Sequence, residues 1–205
     1  MANYNLFKAS IEQAEGGYQN FVRDAGNKNS LGERVGTNHG ISARFYEQII
    51  GEPPTIEDML AITKAEAHIL FKNEFWDKVN ADKIKDQAVA ETIVDHAINA
   101  GTGSAGKVVQ RTLNKHFGTR LRVDGGIGNK TLAAINSVPP KKLFEKISIG
   151  RLEDYKTKPT YKEFGHSWRT RVLDLANKFG VEIKKKECNN RSKCIKCRNC
   201  RLSNL

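Results

Sequence analysis

A chain of 205 residues, 39% hydrophobic and 28% charged, is long enough for one good core with an appended lobe. No uncharged apolar run reaches the roughly 18 residues of a membrane span. The N-terminal MANYNLFKASIEQAEGG places Lys8, Glu12 and Glu15 where a secretory leader is apolar, so synthesis in the cytoplasm without a signal peptide is expected. The net charge of +11 suits an anionic partner, but residues 184–205 alone hold eight Lys and Arg against one Glu, leaving the body mildly basic. All four cysteines lie in that tail, so the body does not depend on disulfides.

In chain order, Leu6, Phe7, Ile11 and Ala14 fall near helical spacing and predict a first helix from about residue 4 to Glu15, stopped by Gly16. Residues 18–42, rich in Gly, Asn and Asp, read as loop plus a short strand or hairpin ending in HGIS. Helical signals return at Ala43. Thr55 is a candidate N-cap, and TKAE (63–66) is a capping box opening a helix through Phe71, Phe75 and Val79, with Trp76 in the core. Ala88, Val89, Thr92, Ile93, Ala97 and Ile98 make an almost all-round apolar helix, which is expected to be central. NAGTGSAG (99–106) interrupts it, and Val108, Val109 and Leu113 resume on another helix. RVDGGIGNKT (122–131) reads as a turn-rich loop before a helix from Leu132. SVPP marks a boundary, and SWRTRVLDLANKFG is the last helix, ended by Gly180. The fold class is therefore mainly α with one small β-rich insertion near the N-terminus.

One stretch carries chemistry. A lone glutamate at the carbonyl end of a helix, Glu15, is disfavoured as an anion by the helix dipole and by partial burial. That is the tuning a general acid needs. Gly16 and Gly17 clear side chains where a polymer could approach, and Tyr18 offers a flat face to a sugar ring. Asp24, nine residues on, cannot share the Glu15 helix face but suits the second carboxylate across a glycosidic bond. Thr37 supplies a hydroxyl on the expected strand, able to orient a water. Read alone, the same stretch is also an exposed helix end with a glycine cap.

EGGYQNFVRDAG followed by GTNHGIS resembles the glycoside hydrolase family 108 muramidases, which include phage endolysins and bacterial secretion activators. EFW (74–76), VDHAINAG (94–101), VVQRTLN (108–114) and VDGGIGNKT continue the likeness. The second half, through FGHSWRTRV (164–172), resembles the predicted peptidoglycan-binding domain that follows in such chains. The resemblance implies a lysozyme-like helical fold, and with the composition of the tail it divides the chain into three parts. These are a catalytic region over 1–98, a peptidoglycan-binding-like region over 99–183 packed on it, and a basic Cys-containing tail over 184–205. It implies a peptidoglycan hydrolase cleaving the β-1,4 bond between N-acetylmuramic acid and N-acetylglucosamine, acting on the wall in the periplasm as a monomer. Glu15 matches the acid of that motif; Asp24, Gly26, Thr37, Gly40 and Ile41 match the rest. His39 stands where an aromatic is common, which implies stacking on or hydrogen bonding to sugar. Two places depart: Phe21 replaces an often-present Asp, and the loop from Asn27 to Gly36 is longer and more polar. No cofactor is needed for this chemistry. A holin or a secretion system is the implied export partner, and no nucleic acid is expected.

Asp95 and Asn99 lie one turn apart on one helix face. They read either as the cleft floor, touching substrate or holding the Glu15 helix, or as a buried pair satisfying loop backbone. The tail spacing Cys188-x5-Cys194-x2-Cys197-x2-Cys200 leaves three readings open: a disordered cationic tail, a small zinc knuckle, or disulfides. Two other functions stay open: a non-catalytic wall-binding or secretion-assisting protein on the same scaffold, and nucleic-acid binding through the tail.

Overall fold

The structure is a computed structural model that describes residues 1–14, 17–22 and 24–183, with side chains for all of these except 10–14. Glu15, Gly16, Arg23 and the whole cysteine tail lie outside the described residues, so the zinc, disulfide and nucleic-acid readings of Cys188, Cys194, Cys197 and Cys200 lie there too.

Helix α1 (Tyr4–Ala14) opens the chain. Its inward residue is Phe7, stacked on the buried Trp76 at 5.6 Å, while Tyr4 meets the same indole edge-on at 5.5 Å. Leu6, expected to share the apolar face, is instead largely exposed. A short antiparallel hairpin follows, β1 (Thr37–Asn38) and β2 (Ile41–Ser42), and Ser42 caps α2 (Ala43–Ile50) by accepting from Phe45 N–H. The turn is the HG of HGIS: His39 and Gly40 both have positive φ, 46° and 76°, as a two-residue primed turn requires.

Capping boxes open α3 (Ile56–Ala61) at Thr55 with Asp58, and α4 (Lys64–Phe71) at Thr63 with Glu66. The predicted helix through Val79 does not continue as α. Residues Lys72–Asp77 widen into a π-turn, which places Trp76 wholly inside with its indole N–H donating to Asp82 Oδ1 at 2.6 Å. Phe75 stacks on Phe45 of α2 at 5.1 Å from the same turn.

Helix α5 (Gln87–Ala100) is the central element, with every residue from Val89 to Ala97 buried. Around it pack α6 (Thr102–Phe117), α8 (Pro140–Tyr155) and α9 (Tyr161–Lys178); α7 (Asn129–Ser137) closes against α6 and α8. The DGG loop lies so close to α6 that a Cβ on Gly106 would sit 1.9 Å from Gly125 O. Gln110 holds that loop, donating to Asp124 Oδ1 and Gly126 O and accepting from Gly125 N–H. The tight turn expected for this segment is thus clamped from the helix beside it.

A buried ionic cluster joins α5 to α8 and α9. Asp95 accepts from Arg151 through one carboxylate oxygen and from Arg171 through the other, the latter at 2.7 Å. Arg151 is fully buried and also donates to Thr92 Oγ1 and Tyr155 Oη. Burial alone would raise the Asp95 carboxyl, but the two guanidiniums outweigh it and hold the carboxyl below its ordinary range. Next to it, burial and then Arg151 push His96 down to about 3, against the opposing pull of Asp154 and Asp95. His96 Nε2 lies 3.4 Å from Asp154 Oδ2 without hydrogen-bond alignment, and among the described residues neither buried ring nitrogen has a hydrogen-bond partner, as suits a neutral ring.

Two outcomes follow from this cluster. Removing the carboxylate in Asp95→Ala leaves Arg151 as an uncompensated buried charge and is expected to cost about 3–5 kcal/mol in urea denaturation. The folded state keeps His96 neutral, whereas the unfolded chain takes up a proton below about pH 6.5, so stability falls as pH drops through that value toward 3. His116, lowered by burial and Lys115, adds in the same sense. Between about pH 6.5 and 5 the Tm is expected to fall by about 3–6 °C. His96→Gln should flatten that fall in a thermal scan.

Candidate active site

The expected site residues Tyr18, Asp24, Thr37 and His39 all lie in the small lobe between α1 and α2. Gln19 runs antiparallel beside Thr37, exchanging two backbone hydrogen bonds of 2.9 Å, and so extends the hairpin by one residue pair. Asp24 caps a single 3-10 turn, Ala25–Asn27, by accepting from Gly26 N–H at 2.9 Å through Oδ1. Among the described residues, its other oxygen receives one long 3.4 Å contact, from Gln19 Nε2. The half-buried carboxylate therefore keeps acceptor capacity on Oδ2.

At the centre is Asn27, which is wholly buried and was not foreseen. Its side-chain oxygen accepts from Thr37 Oγ1 at 2.6 Å and from Gln19 Nε2 at 3.1 Å. Its amide nitrogen donates to Gln19 Oε1 and to Phe21 O, each at 3.1 Å. Its backbone oxygen accepts from Val35 and Gly36 N–H. Every polar group of Asn27 is used, as a buried amide demands. One chemical consequence stands out. Because the Thr37 hydroxyl spends its proton on Asn27, its oxygen is left as an acceptor. A water donating one hydrogen to it would point a lone pair elsewhere.

Gln19 and Asn27 escaped notice because amides in a Gly- and Asp-rich stretch read as turn formers. The partners of their side chains lie up to ten residues away, at Phe21, Asp24 and Thr37, and only the folded backbone brings them together.

Tyr18 does not present both ring faces. One lies against Gly36, where a Cβ would be 2.6 Å from Tyr18 Cε2, and the hydroxyl donates to Val35 O at 3.1 Å. Gly36 has φ of +93°, so glycine is required there on both counts. Gly17 is exposed, and a Cβ on it would meet open space. His39 sits half-buried on the hairpin turn. The long loop is closed upon itself by the buried Asn29, which accepts from Leu31 and Glu33 N–H and donates to Glu33 and to Pro54 O.

Asp95 and Asn99 are placed apart from this lobe's network. Asp95 gives both carboxylate oxygens to arginines, and Asn99 donates to the Asp95 backbone oxygen at 2.6 Å. A groove of about 1800 Å³ lies elsewhere again, between α6 and α8. Its walls mix signs, with Arg111, Lys115 and Lys146 against Glu145, Glu153 and Glu182. Among the described residues no group of His, Cys, Asp and Glu is arranged to hold a metal ion.

Residues 9–101 match the glycosyl hydrolase 108 family, and residues 104–173 match the predicted peptidoglycan domain. No curated protein matches the chain. Among solved structures, SagA of Brucella abortus superposes with a TM-score of 0.75 at 25% identity, covering 89% of this chain and 97% of that one. The mainly α, lysozyme-like fold with its small hairpin stands on that likeness and on the elements described above. The chain thus carries a glycosyl hydrolase 108 domain over residues 9–101, followed by a predicted peptidoglycan domain over residues 104–173.

Proposed function

We propose that the chain is a muramidase that hydrolyses the β-1,4 bond between N-acetylmuramic acid and N-acetylglucosamine in peptidoglycan. The observation that carries this reading is the Asn27-centred network, which sets an acceptor hydroxyl on Thr37 in one lobe with the Asp24 carboxylate. A water donating to Thr37 Oγ1 and to Asp24 Oδ2 has its lone pair free for the anomeric carbon, and Asp24 takes its proton as the bond forms. Glu15, outside the described residues, is the acid that protonates the departing glycosidic oxygen, the role carried by its place in the motif. Positive charge grows on the sugar as the glycosidic bond breaks, in an oxocarbenium-like transition state, and Asp24 stabilises it while still an anion, before the water's proton has passed to it.

The second domain supports peptidoglycan as the partner. In this reading its groove grips the wall polymer, and the net charge of +11 draws the chain to an anionic wall. The site of action is the wall itself, reached through a holin pore or a secretion system.

The reading is tested on purified peptidoglycan with reducing-end labelling. Wild type should expose N-acetylmuramic acid ends; N-acetylglucosamine ends would name a different bond and overturn the assignment. Glu15→Gln should lower kcat by about 10²–10⁴-fold. Thr37→Val should lower it by about 10–100-fold with an unchanged fold by circular dichroism, because a misplaced water loses orientation rather than binding. Equal clearing by wild type and Glu15→Gln would remove Glu15 from the mechanism.

A further inference from the structure

Phe21 is 70% exposed, three residues before Asp24. A single exposed apolar side chain is ordinary on a protein surface. The way its backbone is held is not. Phe21 N–H donates to Gln19 Oε1 at 2.9 Å. Its carbonyl accepts twice, from Asn27 Nδ2 at 3.1 Å and from Asp24 N–H at 3.2 Å. The same Gln19–Asn27 amide pair that sets the Thr37 hydroxyl therefore also sets the residue bearing an outward phenyl ring. Such fixing lowers the entropy lost when a partner docks on the ring. Packing does not account for the exposure, since the ring gains nothing from the core. Tyr18, the nearer aromatic to Glu15 in sequence, is committed to covering Gly36 and is not an equivalent surface.

We infer that Phe21 is a stacking platform for an N-acetylhexosamine ring of the glycan strand, in a subsite adjoining Asp24. This rests on the reading of the chain as a glycan hydrolase. The apolar face of a β-linked hexosamine carries axial C–H groups, which suit the electron-rich face of a phenyl ring. The platform takes a ring next to the one being cleaved, and stacking on a ring that does not change shape is made equally in ground state and transition state. Its loss acts on KM rather than on kcat.

The test uses full-length protein and peptide-free glycan strands. Phe21→Ala should raise KM by about 5–20-fold with kcat little changed, and Phe21→Tyr should restore KM. A second arm needs no turnover. In a Glu15→Gln background, Phe21→Trp adds an exposed indole whose emission should shift to the blue on titration with the same strands. The parent carrying only Trp76 and Trp168 serves as the blank. A wild-type KM in Phe21→Ala, or emission from the Phe21→Trp protein that ignores glycan, overturns the platform. Emission that shifts instead with phosphatidylglycerol vesicles would also overturn it, assigning the ring to a lipid surface. If wild type releases no reducing ends while the indole still responds to glycan, the hydrolase reading fails and the platform stands.

Discussion

Asp95 lies on the central helix, and the two arginines that seize it come from α8 and α9. An anion in that position faces a large desolvation cost, and two cations on different helices are what make its charged form the favoured one. The cluster thereby specifies how the segment matching the hydrolase family meets the segment matching the peptidoglycan domain. Nearby, Lys178 of α9 reaches Glu91 of α5 at 2.7 Å, so α9 is tied to α5 by a second ionic contact of the same sense. Apolar packing supplies the bulk of the association, but it does not choose one rotation of a helix over another; paired charges at fixed positions do.

The small lobe is organised by a different economy. It has little apolar interior, and its shape comes from amides satisfying one another: Gln19 with Asn27, Asn29 with the loop it closes, Asn38 with the end of α3. Partially satisfied networks of this kind are costly, whereas fully satisfied ones are rigid. The lobe belongs to the second sort at Asn27, and the groups available for chemistry are those on its edge. Among the described residues, Asp24 Oδ2 takes one long contact, and the Thr37 oxygen is left to accept once its proton is given to Asn27.

Much of the helical architecture was legible from the chain. The all-round apolar run at 88–98 announced a central helix, and the Thr63–Glu66 and Thr55 caps marked their helix starts to the residue. HGIS marked the hairpin, because His and Gly tolerate the positive φ that the turn needs. The π-turn at Lys72–Asp77 left no trace, since Phe71, Phe75 and Val79 keep an ordinary α spacing. The last helix begins at Tyr161, earlier than its periodicity suggested. Its first turns are held by ring contacts of Trp168 with Phe164 and Tyr155, which are tertiary and carry no local period. In the candidate site, residue type and motif order singled out Asp24 and Thr37. Their shared support was not legible, because Asn27 acts through partners that only the folded backbone brings near.

Asn38, the neighbour of Thr37 on β1, turns its side chain the opposite way and gives its amide protons to Met59 O and Ile62 O at the end of α3. Adjacent residues of one strand thus grip two different bodies, the amide network on one side and the α3–α4 corner on the other. The strand works as a rivet through both. Any breathing of the cleft that carried the lobe away would have to take the α3–α4 corner with it or break those carbonyl contacts. In the proposed mechanism, a polymer strand is then admitted by rocking one assembled jaw, and the Thr37 hydroxyl rides on it with its hydrogen bond to Asn27 intact.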